Sequence, residues 1–396
     1  MKRKKMAIMV EQLYGGGMEH VAAQLSNMLN GKYEIFLFVV NYNKKKTYSH
    51  SGKIEIIPNM RTVIGKGVMR EGLSYLRAAY AVRKLKIKHK IDITISIAPE
   101  MNVINFLSGI REKKIFTIHS CTSERKDVSS LSYRKMMIKL CNLSDKTITV
   151  SNWCKRDLIN VYGIDKQKVQ TIYNPIEDIK GKDCGTKENI VLVVGRLHDV
   201  KQQWHIIRAF QELLKKCQDA QLWIVGNGSN RKYLQNLVKG LKLESRVKFW
   251  GHIENMEEIY KKGKVMVFAS ASEAFPCSIL ESISYGIPVV AADCPGGIRE
   301  IIAPNQKLNR KIQGLCFVKG GILTPRLDGN KYSALAEITY EEKMLAEGIE
   351  YLLLEEKQYE LCSEKCLKIA ERYLKERIGL QWEKCIAEVL NEKQII

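Results

Sequence analysis

Short runs of apolar residues recur along the chain, and between them the apolar positions fall three and four apart. The first half carries MAIMV, EIFLFVV, IDITISI, KIFTI and KTITV; the second carries NIVLVV, AQLWIV, RVKFW, KVMVF, IPVVAA and GLCFV. Runs that are apolar at every position, not at alternate ones, mark strands buried on both faces, as in parallel sheets covered by helices. The intervening stretches are amphipathic. VKQQWHIIRAFQELLKK places Trp204, Ile207, Phe210, Leu213 and Leu214 on one side of a helix. Strand and helix alternate throughout, which predicts an α/β protein built of doubly wound parallel sheets.

The chain has 396 residues, more than one ordinary core organises, and it divides into two domains. The break is expected near 174–189, NPIEDIKGKDCGTKEN, where Pro175, Gly181 and Gly185 sit among charges. This gives domains at 1–178 and 186–373. The tail reads as helical from about Glu341, and its last segment, 374–396, is expected to cross back to the first domain.

Charge changes the picture. The net charge is +21, and residues 1–180 hold 32 Lys and Arg against 15 Asp and Glu. The densest basic run is RKLKIKHK, from Arg83 to Lys90. For one lysine a solvated surface is the simplest reading; a whole-domain asymmetry points to an acidic partner such as an anionic membrane surface or a lipid diphosphate. No nucleic-acid recognition motif accompanies it, so no nucleic-acid partner is expected. The basic start followed by a strand-length apolar run does not fit a signal peptide, and no run approaches a membrane span. Eleven cysteines without CxxC spacing fit reduced thiols in a cytosolic protein. No metal site is expected.

Five stretches carry candidate chemistry. YGGGMEH follows the first strand and opens a helix; Gly16 and Gly17 suit either a phosphate-facing turn or an ordinary tight connection, and the spacing is not GxGxxG. In VVGRLHDVK, Arg196 and Lys201 leave the carboxyl end of a strand, where a guanidinium and an ammonium suit a diphosphate. GNG after the next strand is weak evidence alone. In WGHIEN the backbone from Gly251 to Ile253 could pair with a flat base, or simply form a loop. In SASEAFPCSILE, Pro276 suits the first turn of a helix and the amides of Cys277, Ser278, Ile279 and Leu280 would face a phosphate. Glu273 precedes that helix and could accept from sugar hydroxyls; Glu281 lies within it and could reach a ribose diol.

Taken in order, GGG-x-E, GRL-x-x-x-K, the E-x7-E of SEAFPCSILE and GIPVVAADCPGGIRE resemble the retaining glycosyltransferases of family 4. The resemblance spans essentially the whole chain and is densest from Val191 to Ile302. It implies the GT-B fold, two Rossmann-like domains facing a cleft. It implies Arg196 and Lys201 at the diphosphate, Glu281 at the ribose, Glu273 at the donor sugar, and Gly16 and Gly17 over the phosphates. It also places His119, in KIFTIHS, near the sugar; as a lone histidine it would otherwise read as structural. Ala274 and Gln202 stand where the family usually has glycine. The implied reaction uses a nucleotide sugar, expected to be UDP-linked, with no further cofactor. The implied acceptor is a lipid-linked or cell-surface glycan, met at the inner face of the plasma membrane. A nucleotide-sugar epimerase, a soluble polysaccharide synthase or a non-catalytic subunit would share the architecture.

Overall fold

The computed structural model describes residues 3–59, 68–124, 131–181, 187–306, 308 and 311–391. Gly185, part of the expected break, lies outside them, as do residues 392–396. The chain forms two compact units, Met1–Pro175 with Lys375–Ile396, and Ile176–Leu374.

In the first unit the strands are β1 (Lys5–Gln12), β2 (Glu34–Asn41), β3 (Lys53–Ile56), β4 (Ile93–Ile97), β5 (Lys113–Ile118), β6 (Lys146–Thr149) and β7 (Val169–Thr171). They pair in parallel in the order β3-β2-β1-β4-β5-β6-β7. The helices are α1 (Gly17–Leu29), α2 (Val68–His89), α3 (Pro99–Leu107), α4 (Leu131–Leu143) and α5 (Asn152–Asn160). Residues of β1 alternate between two cores. Met6, Ile8 and Val10 pack with Leu25 and Leu29, and Ala7 and Met9 with Ala78 and Val82. A strand with a core on each side must be apolar at every position, which is the pattern MAIMV shows.

The second unit contains β8 (Ile190–Val194), β9 (Gln221–Val225), β10 (Val247–Gly251), β11 (Val265–Phe268), β12 (Val289–Ala292), β13 (Cys316–Val318) and β14 (Gly321–Thr324). Its order is β10-β9-β8-β11-β12-β14-β13, parallel except for the last pair. The helices are α6 (Gln203–Leu213), α7 (Arg231–Gly240), α8 (Glu257–Lys262), α9 (Cys277–Ser284), α10 (Ile298–Ile302), α11 (Tyr340–Leu354) and α12 (Glu356–Ala370). GLCFV is therefore not a further parallel strand: it returns as an antiparallel edge hairpin on β14.

The last helix, α13 (Lys375–Leu390), belongs to the first unit. Its Ile378, Trp382, Ile386 and Val389 complete the core around β1 and β2. Each such side chain contributes roughly 1.5–3 kcal/mol when fully buried.

A buried ion pair fixes the rotation of α2. Lys86 Nζ lies 2.6 Å from Glu112 Oε1 and 2.8 Å from Asn105 Oδ1, with both charged side chains fully buried. Burial pulls the Lys86 ammonium down to about 8, against the opposing pull of Glu112. With Lys86 turned inward, the opposite face of α2 faces solvent.

Candidate functional site

In both sheets the strand order reverses direction beside the first strand, between β1 and β4 and between β8 and β11. The crevice outside the carboxyl ends of strands at such a reversal is where open α/β sheets bind ligands.

In the second unit these ends are knitted into one platform. β8 runs into Gly195, Arg196 and Leu197, and β9 into Gly226, Asn227 and Gly228. The two loops touch backbone to backbone. Leu197 N–H donates to Asn227 O at 2.9 Å and Asn230 N–H to Leu197 O at 3.0 Å. A Cβ on Gly226 would fall 2.0 Å from Gly195 O, and one on Gly228 2.2 Å from Leu197 O. The GNG glycines thus allow the Arg196 loop to lie flat against β9, a packing role that the sequence reading left open.

Lys201 does not begin the following helix, as the sequence suggested. It ends a 3-10 turn, Asp199–Lys201, and α6 starts at Gln203. Between them Gln202 sits in the left-handed region at φ 49°, ψ 36°. That conformation favours glycine and costs other residues about 1–2 kcal/mol, which explains physically why a glycine would suit the position.

From this turn Lys201 forms an ion pair with Glu273. Its ammonium also lies 5.2 Å from the centre of the Phe268 ring at the end of β11. Both partners are largely buried. Glu273 is held by backbone on each side: its N–H donates to Pro295 O and its carbonyl accepts from Gly297 N–H, each at 3.0 Å. The Glu273 loop is thereby clamped to the turn after β12. That turn is braced by Arg299, which grips Asp293 through two bonds of 2.7 and 2.6 Å. Ala271 N–H donates to Val200 O at 2.8 Å, joining the β11 exit to the β8 exit. Arg196 is exposed on the same platform, and among the described residues no carboxylate pairs with it.

Pro276 is the residue just before α9, at φ −72°, ψ 114°, and not its first helical residue. The amides of Ile279 and Leu280 already donate to Pro276 O, at 3.2 and 3.4 Å, and both side chains are fully buried. The expectation that all four amides from Cys277 to Leu280 face a ligand is corrected. Only the amides of Cys277 and Ser278 precede the helix's internal bonding. Glu281 lies one turn further, and Tyr260 Oη donates to its Oε2 at 2.7 Å. Burial pushes the Glu281 carboxyl above its ordinary value, and Tyr260 partly opposes this; burial and the neighbouring carboxylate push the Tyr260 phenol well above its own. Tyr260, on α8, stacks on Tyr285 with ring centres 5.2 Å apart. Nothing in the local sequence of α8 announces Tyr260; only the fold brings it to Glu281. Ile253, half-buried, lies in the loop after β10.

Three predicted residues belong to the first unit. Gly16 is extended and caps α1, and Gly17 is that helix's first residue. His119 follows β5, its Nε2 3.0 Å from Thr117 Oγ1. Burial drops the imidazole to about 4, so it is neutral near pH 7.

The family description "Glycosyl transferases group 1" matches residues 176–320, and "Glycosyltransferase Family 4" matches residues 15–178. A relative from Campylobacter jejuni, an N-acetylgalactosamine-N,N'-diacetylbacillosaminyl-diphospho-undecaprenol 4-alpha-N-acetylgalactosaminyltransferase, is 26% identical over 88% of this chain and 100% of its own. The chain is a glycosyltransferase. An uncharacterized glycosyltransferase of Methanocaldococcus jannaschii is 33% identical over 48% of this chain, spanning about half, 47%, of its own length. Among solved structures, sucrose-phosphate synthase from Thermosynechococcus elongatus superposes with a TM-score of 0.79 at 16% identity, over 98% of this chain and 100% of that one. Anabaena HepE in complex with UDP and glucose gives 0.74 at 17% identity, over 97% and 100%. The glycosyltransferase thus has the two Rossmann-like units of the GT-B class.

Proposed function

We propose that this glycosyltransferase moves a sugar, with retention at the anomeric carbon, from a UDP-linked donor to a lipid-linked or cell-surface glycan. The observation that carries the reading is the platform of the second unit: Lys201 paired with Glu273 at the strand reversal, Arg196 exposed in the loop after β8, and Glu281 held by Tyr260. Arg196 and Lys201 would take the diphosphate and Glu281 the ribose. Glu273 would take the sugar hydroxyls, and the first-turn amides of α9 a phosphate oxygen. The Gly251–Ile253 backbone would meet the base. As the bond from the anomeric carbon to the diphosphate breaks, its electron pair stays on the phosphate oxygen. The two cations stabilise that charge. The acceptor hydroxyl adds to the same face of the sugar, and its proton passes to the departing diphosphate. Gly16, Gly17 and neutral His119, at the carboxyl edge of the first sheet, would handle phosphate and sugar.

The lipid-linked acceptor is supported by the diphospho-undecaprenol in the relative's name. It is supported also by α2, whose solvent face combines Leu73, Leu76, Tyr80 and Ile87 with Arg77, Arg83, Lys84 and Lys88. Apolar and basic side chains on one exposed face suit a helix lying in the interface of an anionic membrane. No described helix is long and apolar enough to cross one.

The test is a thermal-shift panel of UDP-, GDP-, ADP- and dTDP-sugars, followed by alkylation mapping. Cys277, at the start of α9, and Cys316 are half-exposed, whereas the other described cysteines are buried. A UDP-sugar should raise the melting temperature and slow alkylation of Cys277 but not of Cys316. A stabilising donor that leaves Cys277 unprotected would place the nucleotide elsewhere.

A further inference from the structure

The second unit has another cleft, of about 680 Å³, between the β13–β14 hairpin and α12. It lies at the amino end of β14, where Gly321 pairs with Val289 at the start of β12. The platform described above lies at the opposite, carboxyl edge of the same sheet, so the two are separate.

Cysteines build this cleft. Cys362 and Cys366, one turn apart on α12, point their sulfurs at Lys319 O and Gly320 O, each at 3.5 Å. They pin the hairpin turn to the helix. Phe317 packs edge-on against Tyr351, with ring centres 4.8 Å apart, yet remains 55% exposed. Leu361, also on the wall, is 46% exposed. Two large apolar side chains thus stand open together at one mouth.

The wall also carries four cations. Lys365 and Lys368 follow Leu361 along one face of α12, Arg372 continues the line in the turn beyond, and Lys319 stands on the hairpin. Among the described residues no carboxylate lines the cleft. Among the described residues none of these four cations forms an ion pair, although lysines elsewhere on the unit do, as Lys216 with Glu350 and Lys264 with Glu356. Cations held together without counter-charge repel one another, and an anion removes that cost.

We propose that this cleft binds the phosphate headgroup of an anionic phospholipid, with the first carbons of its chain against Phe317 and Leu361. The phosphate is the shared chemistry of a lipid and of free phosphate; the exposed apolar mouth favours the lipid. The proposal is independent of the donor site and gives the second unit a lipid contact of its own.

The test titrates the full-length protein by calorimetry with monomeric dihexanoyl phosphatidylglycerol, dihexanoyl phosphatidylcholine and inorganic phosphate. Phosphatidylglycerol should bind one site per chain, about tenfold or more tighter than either control, and weaken with salt. The double variant Lys365→Gln, Lys368→Gln should lose at least about tenfold, and Phe317→Ser should weaken the lipid but not phosphate. Leu76→Ser with Tyr80→Ser on α2, a face proposed to meet an assembled membrane, should leave binding of the monomeric lipid at this cleft unchanged. The single variant Lys368→Gln, at an exposed position, replaces the double variant if the latter fails to fold. Equal binding of the two lipids, undiminished binding by the lysine variants, or loss through α2 alone overturns the site. Phosphate binding as tightly as the lipid, with Phe317→Ser silent, overturns the lipid assignment.

Discussion

Tyr260 Oη donates to Glu281 Oε2 at 2.7 Å, so one oxygen of this half-buried carboxylate is engaged and its orientation is set from α8. Removing the hydroxyl should loosen Glu281 while leaving its carboxyl group in place. Tyr260→Phe keeps the stacking on Tyr285 and should weaken nucleotide binding about 5- to 20-fold, the upper end of the scale of one ordinary hydrogen bond, because the bond acts on the nucleotide only through Glu281. KM for the donor should rise while kcat changes little. Unchanged KM, or a loss confined to kcat, would deny Tyr260 this positioning role.

Glu273 and Lys201 neutralise each other in this structure. If Lys201 turns to the diphosphate when donor binds, the pair must part. Glu273→Gln should then release Lys201 and leave UDP binding equal to or tighter than in the native protein. Transfer should fall about 100-fold as the sugar exchanges a charged two-oxygen acceptor for a neutral amide with one, the scale of about 2.7 kcal/mol. Calorimetry with UDP beside a transfer assay reads both. UDP binding weakened in step with transfer would mean that Glu273 only supports the fold of the loop.

His119 offers a pH test with a fixed sign. Its imidazole titrates near 4 in the folded chain, below the ordinary histidine value of about 6.5. On acidification from pH 6.5 to 4 the unfolded chain takes up this proton first, so stability falls across that window. His119→Asn removes that contribution. Urea unfolding at pH 7 and pH 4.5 should show a smaller acid loss for the variant than for the native protein. An equal loss would mean that His119 is as readily protonated folded as unfolded. Above pH 6 the residue is neutral, so transfer should show no ionisation of His119 there.

The long buried strands were legible because they are apolar at every position. The short ones were not. β3, KIEI, alternates and leaves Ile56 exposed at the sheet edge, and β7 is only three residues. Edges are commonly short and polar, which erases the pattern. β14 hid for another reason. Its first residue, Gly321, is at φ +148°, and a Cβ there would lie 1.8 Å from Val289 O. The glycine that permits close strand approach reads in sequence as a turn.

At the candidate site, the places of Arg196, Lys201 and Glu273 near strand ends were legible, but their partners were not. Lys201 and Glu273 are 72 positions apart, and only the β8–β11 adjacency brings them together. Tyr260 reaches Glu281 from another helix. The amides of Ile279 and Leu280 were misjudged because sequence gives a helix start only to within a residue or two, and one residue decides which N–H groups are already bonded.

The account rests on Arg196 and Lys201 receiving the diphosphate. Arg196 is exposed, and among the described residues it pairs with no carboxylate, so its loss should spare the fold. The most direct measurement is calorimetric binding of UDP, with GDP, ADP and dTDP as comparisons, to the native protein and to Arg196→Ala of unchanged melting temperature. UDP should bind the native protein, and the variant should bind it about 10- to 100-fold more weakly, the scale of a charge-assisted contact. UDP bound equally by both proteins would contradict the account at its centre.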